Sequence, residues 1–288
     1  MPSINANGIE IYYETRGEAT AEPLLLICGL GAQMSGWPEG FLEALVAEDF
    51  FVVLYDNRDV GLSSHLDHFG VPDVGGILTG EEKSPYLLSD MASDGAALLE
   101  VLGIASAHIV GVSMGGMIAQ QFAIDFPSKT KTLTSIMSTP DANTVGQATP
   151  EAMAMLLRPR SEDWETFLEE EVENWTLTAG SGYPLDVAWV KEQATRARER
   201  GRNPSGVMRH MAAIVQSPDR QPLLKELSVK ALVLHGDDDP LVTPPGGEAT
   251  AAALRDVRYV RYPGMGHNIP RELWSEVASQ LSSLRASL

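Results

Sequence analysis

The sequence predicts an α/β protein with a mostly parallel, doubly wound sheet and a helical segment inserted before the last strands. Three observations predict this class. Short apolar runs alternate with amphipathic stretches, several of these runs are apolar on both faces, and one long stretch contains no convincing strand. Alternation of strands and helices favours a parallel sheet, and apolar character on both faces is typical of strands covered by helices on both sides.

Apolar runs define the candidate strands. Runs such as LLLIC and FFVVLY are continuous, whereas IEIYYE alternates and favours an edge strand. The candidate strands are Ile9–Tyr13, Leu24–Cys28, Phe50–Tyr55, Ala107–Gly111, Thr132–Met137, Ala231–His235 and Val257–Tyr262. Helical periodicity and capping residues predict helices over Ser89–Leu102, Ser113–Phe126 and Pro270–Leu284.

The alternation stops between residues 140 and 216, a stretch that reads as several short helices. We therefore expect residues 1–139 and 217–288 to form one α/β core and residues 140–216 to form a helical cap. Such an insert is expected over the carboxyl edge of the sheet, where ligands bind in folds of this class. The methionines and aromatic residues of the cap should mostly pack the cap itself, and some should line an apolar pocket.

Composition excludes several functional classes. The chain has 288 residues and a net charge of −18, which disfavours binding to nucleic acid or to an anionic membrane surface. The single cysteine, Cys28, excludes an internal disulfide and a multi-cysteine metal site, and we expect it to be buried. No signal peptide and no run of membrane-spanning length is visible, so a cytoplasmic location is expected. The sequence leaves monomer and homodimer open.

The segment AHIVGVSMGG contains the pattern G-x-S-x-G, with Ser113 at its centre. An apolar strand precedes the serine and an amphipathic helix follows it. That context predicts a sharp strand-to-helix turn, on which the serine is exposed as a nucleophile. The turn also points the helix N-terminus at negative charge that develops beside the serine.

A nucleophilic serine needs a base and an orienting acid. His267 follows the last predicted strand and is the candidate base, whereas His210, in the cap, could contact substrate. Three consecutive aspartates follow an earlier strand, and of these Asp239 is favoured as the acid, with Asp238 next. Asp141 is a more remote alternative acid.

The oxyanion of an acyl-transfer reaction needs two backbone donors. One is the N–H of Met114, directly after the nucleophile. The other is expected from the glycine-containing loop CGLG, where Leu30 stands between two glycines that allow close approach.

Five sequence blocks together resemble the signature of the α/β-hydrolase superfamily: LLLICGLG, YDNRDVGLSS, GVSMGG, LVLHGDDDPLV and PGMGHNIP. The GWP tripeptide after the glycine loop and the PGMGH block are also similar to the aclacinomycin methylesterases, bacterial carboxylic-ester hydrolases of that superfamily. The resemblance implies the α/β-hydrolase fold, a triad of Ser113, Asp239 and His267, and an oxyanion hole formed by the amides of Leu30 and Met114.

The sequence therefore predicts a serine carboxylic-ester hydrolase that acts on a small-to-medium apolar ester through an acyl-enzyme intermediate. No cofactor or metal is implied. Two alternatives stay open: cleavage of another carbonyl bond (lactone, amide or carbon–carbon) by the same triad, and a receptor-like hydrolase that binds a ligand with little turnover.

Overall fold

The sheet of the computed structural model, which describes residues 3–288, has eight strands in the order β1-β2-β4-β3-β5-β6-β7-β8. Strands β1 and β2 form an antiparallel hairpin, β2 pairs antiparallel with β4, and the remaining pairs are parallel. The strands are β1 Ser3–Ala6, β2 Ile9–Arg16, β3 Glu22–Ile27, β4 Phe50–Tyr55, β5 Ala107–Val112, β6 Thr130–Ile136, β7 Lys230–Gly236 and β8 Asp256–Tyr262.

All of the predicted strands are present, but the prediction that IEIYYE is an edge strand is wrong. Strand β2 has a partner on each side, because the short segment SINA forms β1 and occupies the edge. Most positions of β2 are exposed or half-buried, and only the adjacent Ile11 and Tyr12 are buried.

Helices cover both faces of the sheet, as the apolar runs predicted. In β3, the side chains of Leu25 and Ile27 belong to one hydrophobic cluster, and those of Leu24 and Leu26 belong to the other. The helices of the core are α1 Glu39–Ala47, α2 Val74–Thr79, α3 Leu88–Val101, α4 Met114–Asp125, α9 Gln221–Leu224, α10 Pro245–Ala253 and α11 Trp274–Ala286. Helices α3 and α4 pack on one face and α1 and α11 on the other, so the sheet is doubly wound.

Of the five helices described between β6 and β7, four lie in the stretch predicted to be a cap: α5 Pro150–Leu157, α6 Trp164–Thr178, α7 Val187–Glu199 and α8 Pro204–Gln216. Each helix is preceded by an N-cap residue whose side chain accepts a backbone N–H of the first turn. These N-cap residues are Thr149, Asp163, Asp186 and Asn203. Helices α6 and α7 pack through an edge-to-face contact of Trp175 with Trp189. The limits 140 and 216 of the cap stay a prediction.

Two arginines of the cap pair with the loop that follows β4. Arg200 lies 2.5 Å from Asp56, and Arg209 lies 2.6 Å from Asp59; both carboxylates are fully buried. Burial raises the pKa of Asp59, but hydrogen bonds from Arg209 and Tyr86 outweigh it and leave that pKa below its usual range. Among residues 3–288, no helix is long and apolar enough to cross a membrane.

Candidate active site

Ser113 stands on a strained turn between β5 and α4. Its φ of 56° lies in the left-handed region, which is uncommon for a residue other than glycine. The turn is fixed through the backbone of Ser113, which donates its N–H to Ile136 (2.9 Å) and accepts the hydroxyl of Ser138 (2.7 Å). Both bonds involve backbone atoms of Ser113, so neither occupies its Oγ, which lies at the carboxyl end of β5.

The glycines around Ser113 are required by close backbone contacts. A Cβ at Gly111 would overlap the carbonyl oxygen of Gly115, and a Cβ at Gly115 would overlap that of Ile27 in β3. The G-x-S-x-G pattern therefore reflects a turn packed directly against the neighbouring strand.

His267 and Asp239 are brought together by two loops at the same edge of the sheet. The Nδ1 of His267 lies 2.7 Å from Oδ2 of Asp239, and the other carboxylate oxygen accepts the N–H groups of Leu241 and Val242, both at 2.9 Å. Asp239 is almost fully buried, at 3% exposed. Since a carboxylate accepts at Nδ1, the proton resides there and Nε2 is left free to accept a proton.

The other candidate acids lie elsewhere. Asp237 pairs with Arg261 (2.6 Å), Asp238 accepts hydrogen bonds from Ser181, and Asp141 caps the turn that contains Asn143. Of the acidic side chains in the described part of the chain, only that of Asp239 hydrogen-bonds to the imidazole of His267.

Ser113 and His267 share the carboxyl edge of the parallel strands, at the ends of β5 and β8. Within residues 3–288, the Oγ of Ser113 makes no direct hydrogen bond with His267. Hydrogen bonds of this kind are often long in structures without substrate and shorten when substrate binds.

The residues that carry the two expected oxyanion donors are adjacent to Ser113 or to a residue that packs against it. Met114 is the first residue of α4, where an N–H has no acceptor within the helix. Leu30 lies in the loop after β3, and the adjoining Gly29 abuts Ser113: a Cβ there would be 3.2 Å from Cβ of Ser113. In the part of the chain that is described, no acceptor takes the N–H of Leu30 or of Met114.

His210 is fully buried next to the loop that follows β3, so no part of its side chain is exposed to a substrate in this structure. Its Nε2 lies 2.8 Å from the carbonyl oxygen of Arg58, and its Nδ1 accepts the N–H of Gly31 at 3.3 Å. Burial lowers the pKa of His210 to about 4, so the ring is neutral at pH 7. Its role is to hold Gly31, whose φ is +63°.

Cys28 is buried, as predicted, and burial raises the pKa of its thiol far above the usual range. Among the residues that the structure describes, no group of three or more His, Cys, Asp and Glu side chains could hold a metal ion.

The sequence did not indicate the cap residues that reach this site. The carbonyl oxygens of Thr178 and Ala179, at the end of α6, accept the N–H groups of His267 and Gly266. The only trace of this contact in the sequence is a pair of glycine-rich segments, GSG in the cap and GMG before the histidine.

Residues 22–271 match the family model described as the alpha/beta hydrolase fold. The chain belongs to this family. The match covers most of the chain, and the eight-stranded, mostly parallel sheet agrees with it.

The similarity to bacterial methylesterases is confirmed. The chain is 28% identical to rhodomycin D methylesterase DnrP of Streptomyces peucetius, over 98% of this chain and 97% of that protein. It is 26% identical to 3-oxoadipate enol-lactonase 2 of Acinetobacter baylyi, over 85% of this chain and 82% of that protein. Among solved structures, an enol-lactonase from Burkholderia xenovorans has a TM-score of 0.74 at 21% identity, with 99% of this chain and all of that chain covered.

Proposed function

We propose that this protein is a serine carboxylic-ester hydrolase that works through an acyl-enzyme intermediate. The observation that carries the proposal is the hydrogen bond of 2.7 Å between His267 and Asp239, at the same sheet edge as the strained turn of Ser113. A serine, a buried acid and a histidine, in this chain order, are the parts that acyl transfer requires.

In the first half of the reaction, Oγ of Ser113 attacks the ester carbonyl carbon and its proton passes to Nε2 of His267. Asp239 holds the proton at Nδ1 and stabilises the imidazolium that forms. The amides of Leu30 and Met114 donate to the oxyanion of the tetrahedral intermediate. The intermediate then collapses: the bond to the alcohol oxygen breaks, and the alcohol leaves with the proton from His267.

In the second half, water attacks the acyl carbon and gives a proton to His267. The bond to Oγ of Ser113 breaks, the proton returns to the serine, and the carboxylic acid departs. No other reactant is needed, because water supplies both the hydroxyl group and the proton.

The proposed substrate class is a methyl ester of an apolar carboxylic acid. The full-length similarity to a rhodomycin D methylesterase supports the small alcohol. The methionines and aromatic residues of the cap support an apolar acid, since such side chains adapt to irregular apolar ligands.

The decisive experiment compares the wild type with Ser113→Ala on p-nitrophenyl acetate and on methyl esters of aromatic acids. The variant should lose activity by about five to six orders of magnitude. A serine-directed phosphonate should label the wild type once, at Ser113, and should leave the variant unlabelled. Normal hydrolysis by Ser113→Ala would disprove the proposed role of Ser113.

A second candidate is lactone hydrolysis by the same residues, which the similarity to an enol-lactonase favours. A panel of methyl esters, lactones, anilides and β-diketones distinguishes these carbonyl substrates by their kcat/KM values. A receptor-like protein would instead release less than one equivalent of product per chain and then stop.

A further inference from the structure

The loop that ends α6 lies along the loop that carries the histidine. We call residues 178–182 the cap loop and residues 264–267 the histidine loop. Three backbone hydrogen bonds join them: His267 N–H to Thr178 O at 2.6 Å, Gly266 N–H to Ala179 O at 3.0 Å, and Gly182 N–H to Gly264 O at 2.8 Å. The main chain of the proposed base is therefore bonded directly to the cap.

Glycines allow the two loops to approach this closely. A Cβ at Gly266 would overlap the carbonyl oxygen of Thr178, and one at Gly180 would overlap that of Gly264. A Cβ at Gly182 would be 2.8 Å from Cα of Gly264, a distance that real Cβ atoms do not show. Any side chain at these positions would separate the loops.

Asp238 connects the same two loops. Its carboxylate accepts the backbone N–H of Ser181 at 3.0 Å and also the hydroxyl of Ser181. Its own N–H donates to the carbonyl oxygen of Met265, in the histidine loop, at 3.0 Å. Asp238 thus fixes the cap loop from one side while its neighbour Asp239 fixes the imidazole of His267 from the other.

We propose that the cap loop, held by Asp238, is the positioning element for His267, so that the seating of the cap sets the geometry of the base. The inference rests on the proposed function, in which His267 takes the serine proton. Glycine-rich loops have high conformational freedom on their own, so the histidine loop needs an external template to hold one geometry. A displacement of about 1 Å at a reacting group costs on the order of a hundredfold in rate.

The first test uses two neighbouring aspartates that have different partners. Asp238→Ala should lower kcat for p-nitrophenyl acetate about tenfold with KM within about twofold, because both hydrogen bonds from Ser181 to its carboxylate are lost. The acetyl ester is small, so its binding depends little on the cap. Asp237→Ala is the matched control: it removes only a surface pair with Arg261 and should leave kcat unchanged.

The second test separates the loops directly. Gly266→Ala should lower kcat about a hundredfold and should slow phosphonate labelling of Ser113 by a similar factor. Gly36→Ala is the control, because a Cβ at Gly36 meets nothing within 4 Å. The low-field proton resonance of His267 Nδ1–H, assigned by its loss in His267→Gln, should broaden in Gly266→Ala and Asp238→Ala but not in the controls.

The outcomes distinguish this inference from the proposed function. A wild type without esterase activity would contradict the proposed function itself. An active wild type with unchanged kcat and an unchanged histidine resonance in Asp238→Ala would overturn the positioning role, as would a change in KM alone. If Gly266→Ala does not fold, Asp238→Ala alone tests the positioning role. The side chain of Asp238 hydrogen-bonds at the protein surface, to Ser181 of the cap loop, so we expect this variant to fold.

Discussion

The guanidinium of Arg209, in α8, lies fully buried against the carboxylate of Asp59, with Nη2 2.6 Å from Oδ1 and Nε 2.8 Å from Oδ2. Asp59 also accepts the hydroxyl of Tyr86 at 2.6 Å. The pair joins the last helix of the predicted cap to the loop after β4.

Arg209→Met should lower the free energy of unfolding by about 3–5 kcal/mol, because it leaves the carboxylate of Asp59 buried without a cation. Urea denaturation at pH 7 measures this change. Arg196→Met, which removes an exposed pair with Glu192, is the control and should cost about 0.5 kcal/mol. Equal losses in the two variants would contradict the importance of the buried pair.

Stability should fall as the pH is lowered from about 6.5 to about 4, in part because of His210. Its pKa is about 4 in the folded protein and near 6.5 when exposed, so the unfolded chain takes up the proton first. The stability that neutral His210 contributes is complete above pH 6.5 and is lost through this window.

His210→Gln isolates the effect of this one titration. Glutamine does not titrate, so the stability difference between wild type and variant should shrink by roughly 3 kcal/mol between pH 6.5 and 4. Urea denaturation at several pH values measures it. A difference that stays constant over this range would mean that His210 is not held neutral by burial.

Gly111→Ala and Gly115→Ala should each lower kcat/KM by at least about a hundredfold, because an added Cβ displaces the turn that presents Ser113. Circular dichroism shows whether the fold survives, and phosphonate labelling reports the serine itself. Gly36→Ala is again the control. Full activity in Gly115→Ala would mean that the turn tolerates a shift away from β3.

Cys28 should not react in the native protein. Its side chain is 3% exposed, and burial raises its thiol pKa, so iodoacetamide at pH 8 should leave the native mass unchanged and add one label in urea. Intact-mass spectrometry measures the label. Native labelling accompanied by loss of activity would instead indicate an accessible thiol at the start of the loop after β3.

Much of the fold was predictable because apolar runs define buried strands. The runs that form β3 and β4 are continuous and buried on both faces. Strand β1 was missed because SINA is short and polar, and its pairing with β2 depends on a turn at Asn7 and Gly8 rather than on hydrophobicity. That omission also gave β2 the wrong position in the sheet.

In the candidate site, too, some residues could be predicted from the sequence and some contacts could not. Ser113 and His267 were chosen from local patterns, a glycine-flanked turn and a loop after the last strand. The partners of Asp238 and Gly31 could not be read from the sequence, since they lie 57 and 179 residues away along the chain. Contacts of this kind depend on how the cap packs against the core, and no local sequence pattern indicates that packing.

The pairing of Arg209 with Asp59 spans 150 residues of sequence, and that of Arg200 with Asp56 spans 144. During synthesis the loop after β4 therefore emerges long before either cation exists. Contacts of such high sequence separation form late and slow the folding of a chain. We expect the docking of α7 and α8 to be a late step, before which the carboxylates of Asp56 and Asp59 in an emerging chain lack their partner cations.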